Sequence, residues 1–355
     1  MSEGSFIKRN MSIILIVLLA LAIRLTFFIL VKPWDDSVLQ NKILVHDAIR
    51  YNYLGKSILS SKSFSAFSSF RTPGYPVFIA FIYSIFGTRV WVVLLTHVFL
   101  DIGTVILVFL LARRLFGNDK IANIAAFLYS ICILSVCMMT MLITEVLFLF
   151  ILTLSILLFL KALERGRIKD FALVAFLVGL AALVKPVAKY IPVLMVITLL
   201  FQKKKSISTL ANIVVIVLVF LATIAPWQAR NFQKFGFYAL SDIQSSMLLS
   251  YNVAFVKAFD EGKSVQEAER ELIGNAVDGI ENPFERSKIY QRVAIKYILE
   301  HPFKFLYYHL KGCVNLFLAT PKYHVIYLLD LKSKPRYKYS VLEGFWEKVK
   351  QSFMN

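Results

Sequence analysis

Long apolar runs alternate along the chain with short charged knots. A helix needs about 20 residues to cross a ~30 Å hydrocarbon layer. On that measure the runs predict spans at 11–31, 89–112, 121–140, 146–162, 170–185, 188–201 and 209–226. Lys185-Pro186, with Tyr190-Ile191-Pro192 behind it, splits 170–201 into two short helices. Proline lacks an amide proton, and its ring clashes with the preceding turn. Tilt or local bilayer thinning accommodates the short halves. In the first run Ala20-Leu21-Ala22 mimics a signal-peptidase site, but the apolar stretch continues to Val31, which suits an uncleaved anchor better. One run, Tyr75 to Phe86, is too short to span comfortably.

Sidedness depends on that short run. If it stays on one surface, Lys8 and Arg9, Arg113-Arg114-Lys120, the Lys161–Lys169 cluster and Lys203-Lys204-Lys205 share one side. If it crosses, the last three clusters move away from the N-terminus. The positive-inside rule selects the first arrangement, with the N-terminus cytoplasmic. A long outer loop, 32–88, then joins the first two spans, and everything after Pro226 begins outside. Residues 1–226 are expected to form the transmembrane bundle, and 227–355 an outer-face helical region. In that region Ser264-Val-Gln-Glu267 reads as a capping box. It opens a helix with Val265, Ala268, Leu272, Ile273, Ala276 and Val277 on one face. Asn282-Pro283 starts a second helix that His301-Pro302 ends. The aromatic stretch 303–320 either lies in the interface or crosses as an eighth span.

Composition settles the class. With 58% hydrophobic and 17% charged residues, and a mean hydropathy of +0.67, a soluble globule, a disordered chain and a collagen-like fibre are all excluded. This is an all-α polytopic membrane protein with lipid as much of its solvent. Forty basic against 22 acidic residues give +18, which follows from a basic cytoplasmic face rather than from a nucleic-acid partner. The three cysteines form no zinc or disulfide pattern. No internal repeat shows, and no phosphate-binding glycine loop, nucleophile elbow, HExxH helix or CxxC pair is found.

Candidate chemistry gathers at the predicted outer surface. Asp47 and Tyr51 share a helix face at i, i+4, with Arg50 at i+3. Asp47 can serve as a general base or help hold a cation; spacing alone favours a plain pairing with Arg50. Glu145 shifts that balance, because it stands at the outer end of a span, at the same water interface. Two converging carboxylates divide the work of acting and orienting. Lys185, Arg230, Arg71 and Arg24 are outer-facing cations that run against the positive-inside bias. A phosphate held at the membrane surface would account for them, and snorkelling to lipid headgroups is the plain alternative. His97 and Asp101, one turn apart inside a span, read as a neutral hydrogen-bonded pair fixing helix packing.

Several short motifs come in order: Asp47-x-x-Arg50-Tyr51, Arg71-Thr-Pro-Gly-Tyr-Pro76, Thr144-Glu145, Val184-Lys185-Pro186, Ala225-Pro-Trp-Gln-Ala-Arg-Asn231 and His301-Pro302. On this topology they resemble the GT-C glycosyltransferases. The nearest branches are bacterial relatives of protein O-mannosyltransferases and lipid A aminoarabinose transferases. The resemblance implies a GT-C-type helical bundle with juxtamembrane helices in the first outer loop. It also implies transfer of a sugar from a polyprenyl-phosphate donor to a lipid, glycan or protein acceptor, at the outer face of the cell (inner) membrane. By that analogy Asp47 is the base for the acceptor hydroxyl and Glu145 the second-loop acid. Lys185, with Arg71 and Arg230, binds donor phosphate, while Tyr51, Arg50 and Tyr75 line the substrate site. Many relatives carry a second acid beside the first-loop aspartate, whereas the neighbours here are His46 and Ala48, so no metal ligand is assigned. A divalent metal ion stays open as a cofactor. Two other classes fit the spans: a transporter or flippase, which predicts matched repeats and midplane ionisable residues, and a noncatalytic scaffold.

Overall fold

The computed structural model describes residues 3–201, 207–318 and 322–329. Lys203-Lys204-Lys205, the end of the 303–320 stretch and the basic tail lie outside the described residues. Among the described residues every regular element is helical, as the patterning requires. The chain divides into two compact units, Met1–Ser241 and Asp242–Asn355.

In the first unit α1 is Glu3–Val31, α2 Asp47–Ser61, α3 Gly74–Phe86, α4 Val90–Phe116, α5 Asp119–Ser130 and α6 Ile133–Met139. Helices α7 (Glu145–Arg165), α8 (Ile168–Val184), α9 (Ile191–Leu200) and α10 (Ile207–Phe235) follow. Met11–Val31, Val90–Phe116, Glu145–Arg165 and Ser208–Phe235 are long and apolar enough to cross a membrane. The pair α5 and α6, bent by 54° at its break, makes a fifth if it is one span. Leu15, Leu18, Phe99, Leu149 and Leu218 stay exposed on these helices. Such apolar surface on a water-soluble monomer would be a liability, and here it meets lipid.

The expected break at Lys185 is present. Helix α8 stops at Val184, Lys185 is extended, and Pro186–Tyr190 forms a 3₁₀ turn before α9. Helix α8 has 17 residues and α9 has 10, so both fall short of the ~20 that a full crossing needs. Proline acts differently at 226. Helix α10 continues through it to Phe235, beyond the predicted end, as apolar spans tolerate when packing re-satisfies the freed backbone.

Among the described residues, at least two apolar cores hold the unit. Ala20 of α1, Val105, Phe109 and Ala112 of α4, and Ala122 and Ala126 of α5 form one. Ala175, Val178, Ala181 and Ala182 of α8 pack with Ile216, Phe220, Ile224 and Trp227 of α10 in the other. At Gly179 a β-carbon would sit 2.6 Å from Thr223 Cβ, so the backbones of α8 and α10 approach as closely as glycine allows.

The second unit includes α11 (Ala254–Glu261), α12 (Val265–Ile273), α13 (Pro283–Glu300) and α14 (Pro302–Leu318). Ser264 Oγ accepts from the Glu267 amide at 3.2 Å, and Asn282 Oδ1 from the Phe284 amide at 3.0 Å. Both local caps therefore form where the sequence puts them. Helix α12 ends one turn sooner than its apolar stripe: Gly274 at φ 51 turns the chain, which leaves Ala276 and Val277 outside it. Leu249, Val253, Val256, Ala294 and Tyr297 make the core of this unit.

Candidate functional site

The site is built on the first residues of α2. His46, just before it, has φ 49 and ψ −120, a backbone state that a β-carbon disfavours. Such outliers persist where surrounding structure enforces them, and they concentrate at functional sites. The turn directs Asp47 toward the 62–73 loop. There Arg71 Nη2 donates to the Asp47 carboxylate, and Arg71 Nη1 donates to the Tyr51 hydroxyl at 3.1 Å. One guanidinium thus bridges two side chains a helical turn apart, with its carbon 5.1 Å from the Tyr51 ring centre. Arg71 is largely covered, whereas Asp47 keeps 58% of its side chain exposed.

Gly74 brings this loop to the second ion pair. A β-carbon there would lie 2.6 Å from the carbonyl carbon of Leu183 and 2.7 Å from the Val184 nitrogen. The Thr72 hydroxyl donates to the Val184 carbonyl at 3.4 Å. One residue on, Lys185 Nζ donates to Glu145 Oε1 at 2.9 Å, and the Thr144 hydroxyl donates to Oε2 at 3.1 Å. Lys185 and Glu145 are 38% and 37% exposed. Glu145 is the first residue of α7, where the helix dipole favours a carboxylate.

Tyr51 links the pairs. Burial raises its phenol pKa above the ordinary value; Arg71 opposes the rise, and the nearby charges of Asp47 and Glu145 add to it. The hydroxyl therefore stays protonated between two carboxylates. Tyr75 packs edge-on under Tyr51, with ring centres 5.0 Å apart. It is fully buried, and its hydroxyl lies 3.2 Å from His97 Nε2.

The structure therefore draws Asp47, Tyr51, Arg71, Glu145 and Lys185 together, with Tyr75 beneath them. It sends two other cations elsewhere. Arg50 donates to the Ala66 carbonyl at 3.1 Å, so the simple Asp47–Arg50 pairing that spacing favoured is replaced by Asp47–Arg71. Arg230 donates to the Phe64 and Phe67 carbonyls at 3.0 and 2.6 Å and lies over Trp227. Both arginines fasten the 62–73 loop. Asn231 and Trp227 do similar work, donating to the Ala239 and Leu240 carbonyls at 2.7 and 2.8 Å.

A second polar cluster corrects the reading of His97 and Asp101 as partners. Asp101 instead receives Arg24 Nε, the Tyr129 hydroxyl and the Ser135 hydroxyl, each at 2.6 Å. Arg24 Nη1 donates to the Ser130 carbonyl at 2.8 Å, where α5 ends. Arg24 is thus neither snorkelling nor available to a phosphate, being 0% exposed. A cavity of about 150 Å³ is lined by Asp101, Tyr129 and Ser135 on one side and Glu145 on the other.

Among the described residues no three His, Cys, Asp or Glu side chains converge as a metal site would require. Asp47 and Glu145 are each tied to a cation, and this pair alone does not make a divalent-ion site.

The fold defines an all-α polytopic membrane protein with a polar cluster on its first unit. Residues 71–229 match the family dolichyl-phosphate-mannose-protein mannosyltransferase, which bears out the resemblance over that segment. The matched stretch includes Arg71, Tyr75, Glu145 and Lys185; Asp47, Arg50, Tyr51 and Arg230 lie outside it. No individual curated protein matches the chain. The family match supports a membrane glycosyltransferase.

Proposed function

We propose that the chain transfers a sugar from a polyprenyl-phosphate carrier to an acceptor hydroxyl at the outer face of the cell membrane, with its N-terminus cytoplasmic. The observation that carries this reading is the meeting of two carboxylate–cation pairs, Asp47–Arg71 and Glu145–Lys185, around one neutral phenol. Asp47 is the more exposed carboxylate and takes the proton of the acceptor oxygen. That oxygen bonds to the anomeric carbon as the bond from this carbon to the carrier phosphate breaks. Charge then builds on the departing phosphate, where Lys185 and Arg71 can exchange carboxylate for phosphate oxygens. Glu145 holds Lys185 in place until they do. Tyr51 donates to the reacting oxygens without ionising. Arg230 and Arg50 support the site by holding its loop. The acceptor is a lipid, glycan or protein.

The test uses purified protein in nanodiscs, a panel of radiolabelled polyprenyl-phosphate sugars and membrane extract. Wild type is expected to discharge one carrier, and Asp47→Asn to lower the rate by about 10²–10⁴-fold, the usual worth of a positioned base. Equal rates in the two proteins would remove Asp47 from the proton step. No discharge of any carrier by folded wild type would sink the transferase reading.

A further inference from the structure

A third region lies away from both ion clusters. Where α3 ends and α4 begins, a groove of about 580 Å³ runs between the two helices. Its walls are Ile85 and Phe86 of α3 and Trp91, Leu95 and Phe99 of α4, with Arg89 at its mouth. Ile85, Phe86 and Phe99 are all more than half exposed. Gly87, at φ 75, makes the tight turn that opens the groove at this end. Two features mark its mouth as a place for an anion. The Arg89 guanidinium is exposed and has no partner among the described residues. Arg89 is also the N-cap of the 27-residue α4, and no side chain caps the free amides of that helix.

We propose that this groove binds an anionic glycerophospholipid of the surrounding membrane, with one acyl chain along the apolar walls and the headgroup phosphate at Arg89. Charge complementarity selects the ligand. A lone guanidinium and uncapped amides call for a phosphate, and apolar walls inside a membrane-crossing unit call for a hydrocarbon chain. Trp91, in the first turn of α4, suits the preference of indoles for the headgroup region. The carrier lipid does not suit this place. Tyr75 and Phe86 are separated along α3 by about 16 Å at ~1.5 Å per residue. A carrier phosphate at Arg89 would therefore hold its sugar well away from Asp47 and Glu145. The site is independent of the transfer reading and stands or falls on lipid binding alone.

Trp91 supplies the probe. The full chain is placed in nanodiscs containing phosphatidylglycerol or phosphatidylcholine with brominated acyl chains at equal bromine density. Subtracting the emission of Trp91→Phe isolates the tryptophan in the groove. Phosphatidylglycerol is expected to be favoured about five-fold at the groove, the ordinary worth of one arginine near a membrane surface. It should quench Trp91 correspondingly more strongly. Arg89→Gln is expected to abolish the preference, and Arg89→Lys to retain most of it. The Arg89 side chain has no partner to lose, so both variants should elute as wild type does in size exclusion. Equal quenching by the two lipids overturns the proposal, as does a preference that survives Arg89→Gln. Relief of quenching by stoichiometric unlabelled polyprenyl phosphate overturns it too, because the groove would then belong to the carrier.

Discussion

The Arg24–Asp101 pair and the Glu145–Lys185 pair border one cavity, yet they live under different physics. The first is shut away from water, and its carboxylate accepts from three donors. The second keeps more than a third of each side chain exposed. A buried pair is costly to separate, because the partner left behind has no solvent to turn to. A half-wet pair adds little to stability and gives up its partner readily to an incoming phosphate. One cluster holds the break between α5 and α6; the other can re-pair during a reaction. Similar residue types thus serve structure or chemistry according to their access to water.

The sharpest way to break this comparison is Arg24→Ala. It leaves Asp101 charged and buried and is expected to cost about 3–5 kcal/mol, seen as a fall in melting temperature in detergent. The double change Arg24→Leu with Asp101→Leu should recover much of the loss. A single variant that melts like wild type would show that the cluster does not hold the fold. Next in size is Gly74→Ala, whose new methyl meets backbone rather than a yielding side chain. Overpacking of this kind costs about 1–3 kcal/mol, and here it also pushes Arg71 and Thr72 away from Lys185. Transfer should fall more than stability does; equal falls would argue against a positioning role for the loop. The smallest effect on stability is expected for Lys185→Met, at most about 1 kcal/mol, with near-complete loss of carrier discharge. A stable variant that still discharges carrier would remove Lys185 from phosphate binding.

Local features were legible in the sequence and distant partnerships were not. The Ser264 and Asn282 caps and the break at Lys185-Pro186 are written within a few neighbouring residues. The choice of Asp47, Tyr51, Glu145, Lys185 and Arg71 as neighbours came from sidedness and from family resemblance. Their pairing did not, because Asp47 and Arg71 meet only when the 62–73 loop folds back across Gly74. Asp101 misled for a related reason. His97 is its neighbour in the helix, but Arg24, 77 positions away, reaches it through the packing of α1 on α4. Arg50 and Arg230 are charged, yet the structure uses them mainly as hydrogen-bond donors to loop carbonyls. The positive φ at His46 could not be read from residue type either.

The contact at Gly179 also bears on traffic within the membrane plane. With Thr223 filling the space a β-carbon would occupy, α8 and α10 form a closed seam, and a lipid tail cannot part them without breaking a tight helix joint. Sideways entry to the polar cluster is therefore directed to the other flanks of the bundle. The α8–α10 seam behaves as a fixed wall of the bundle.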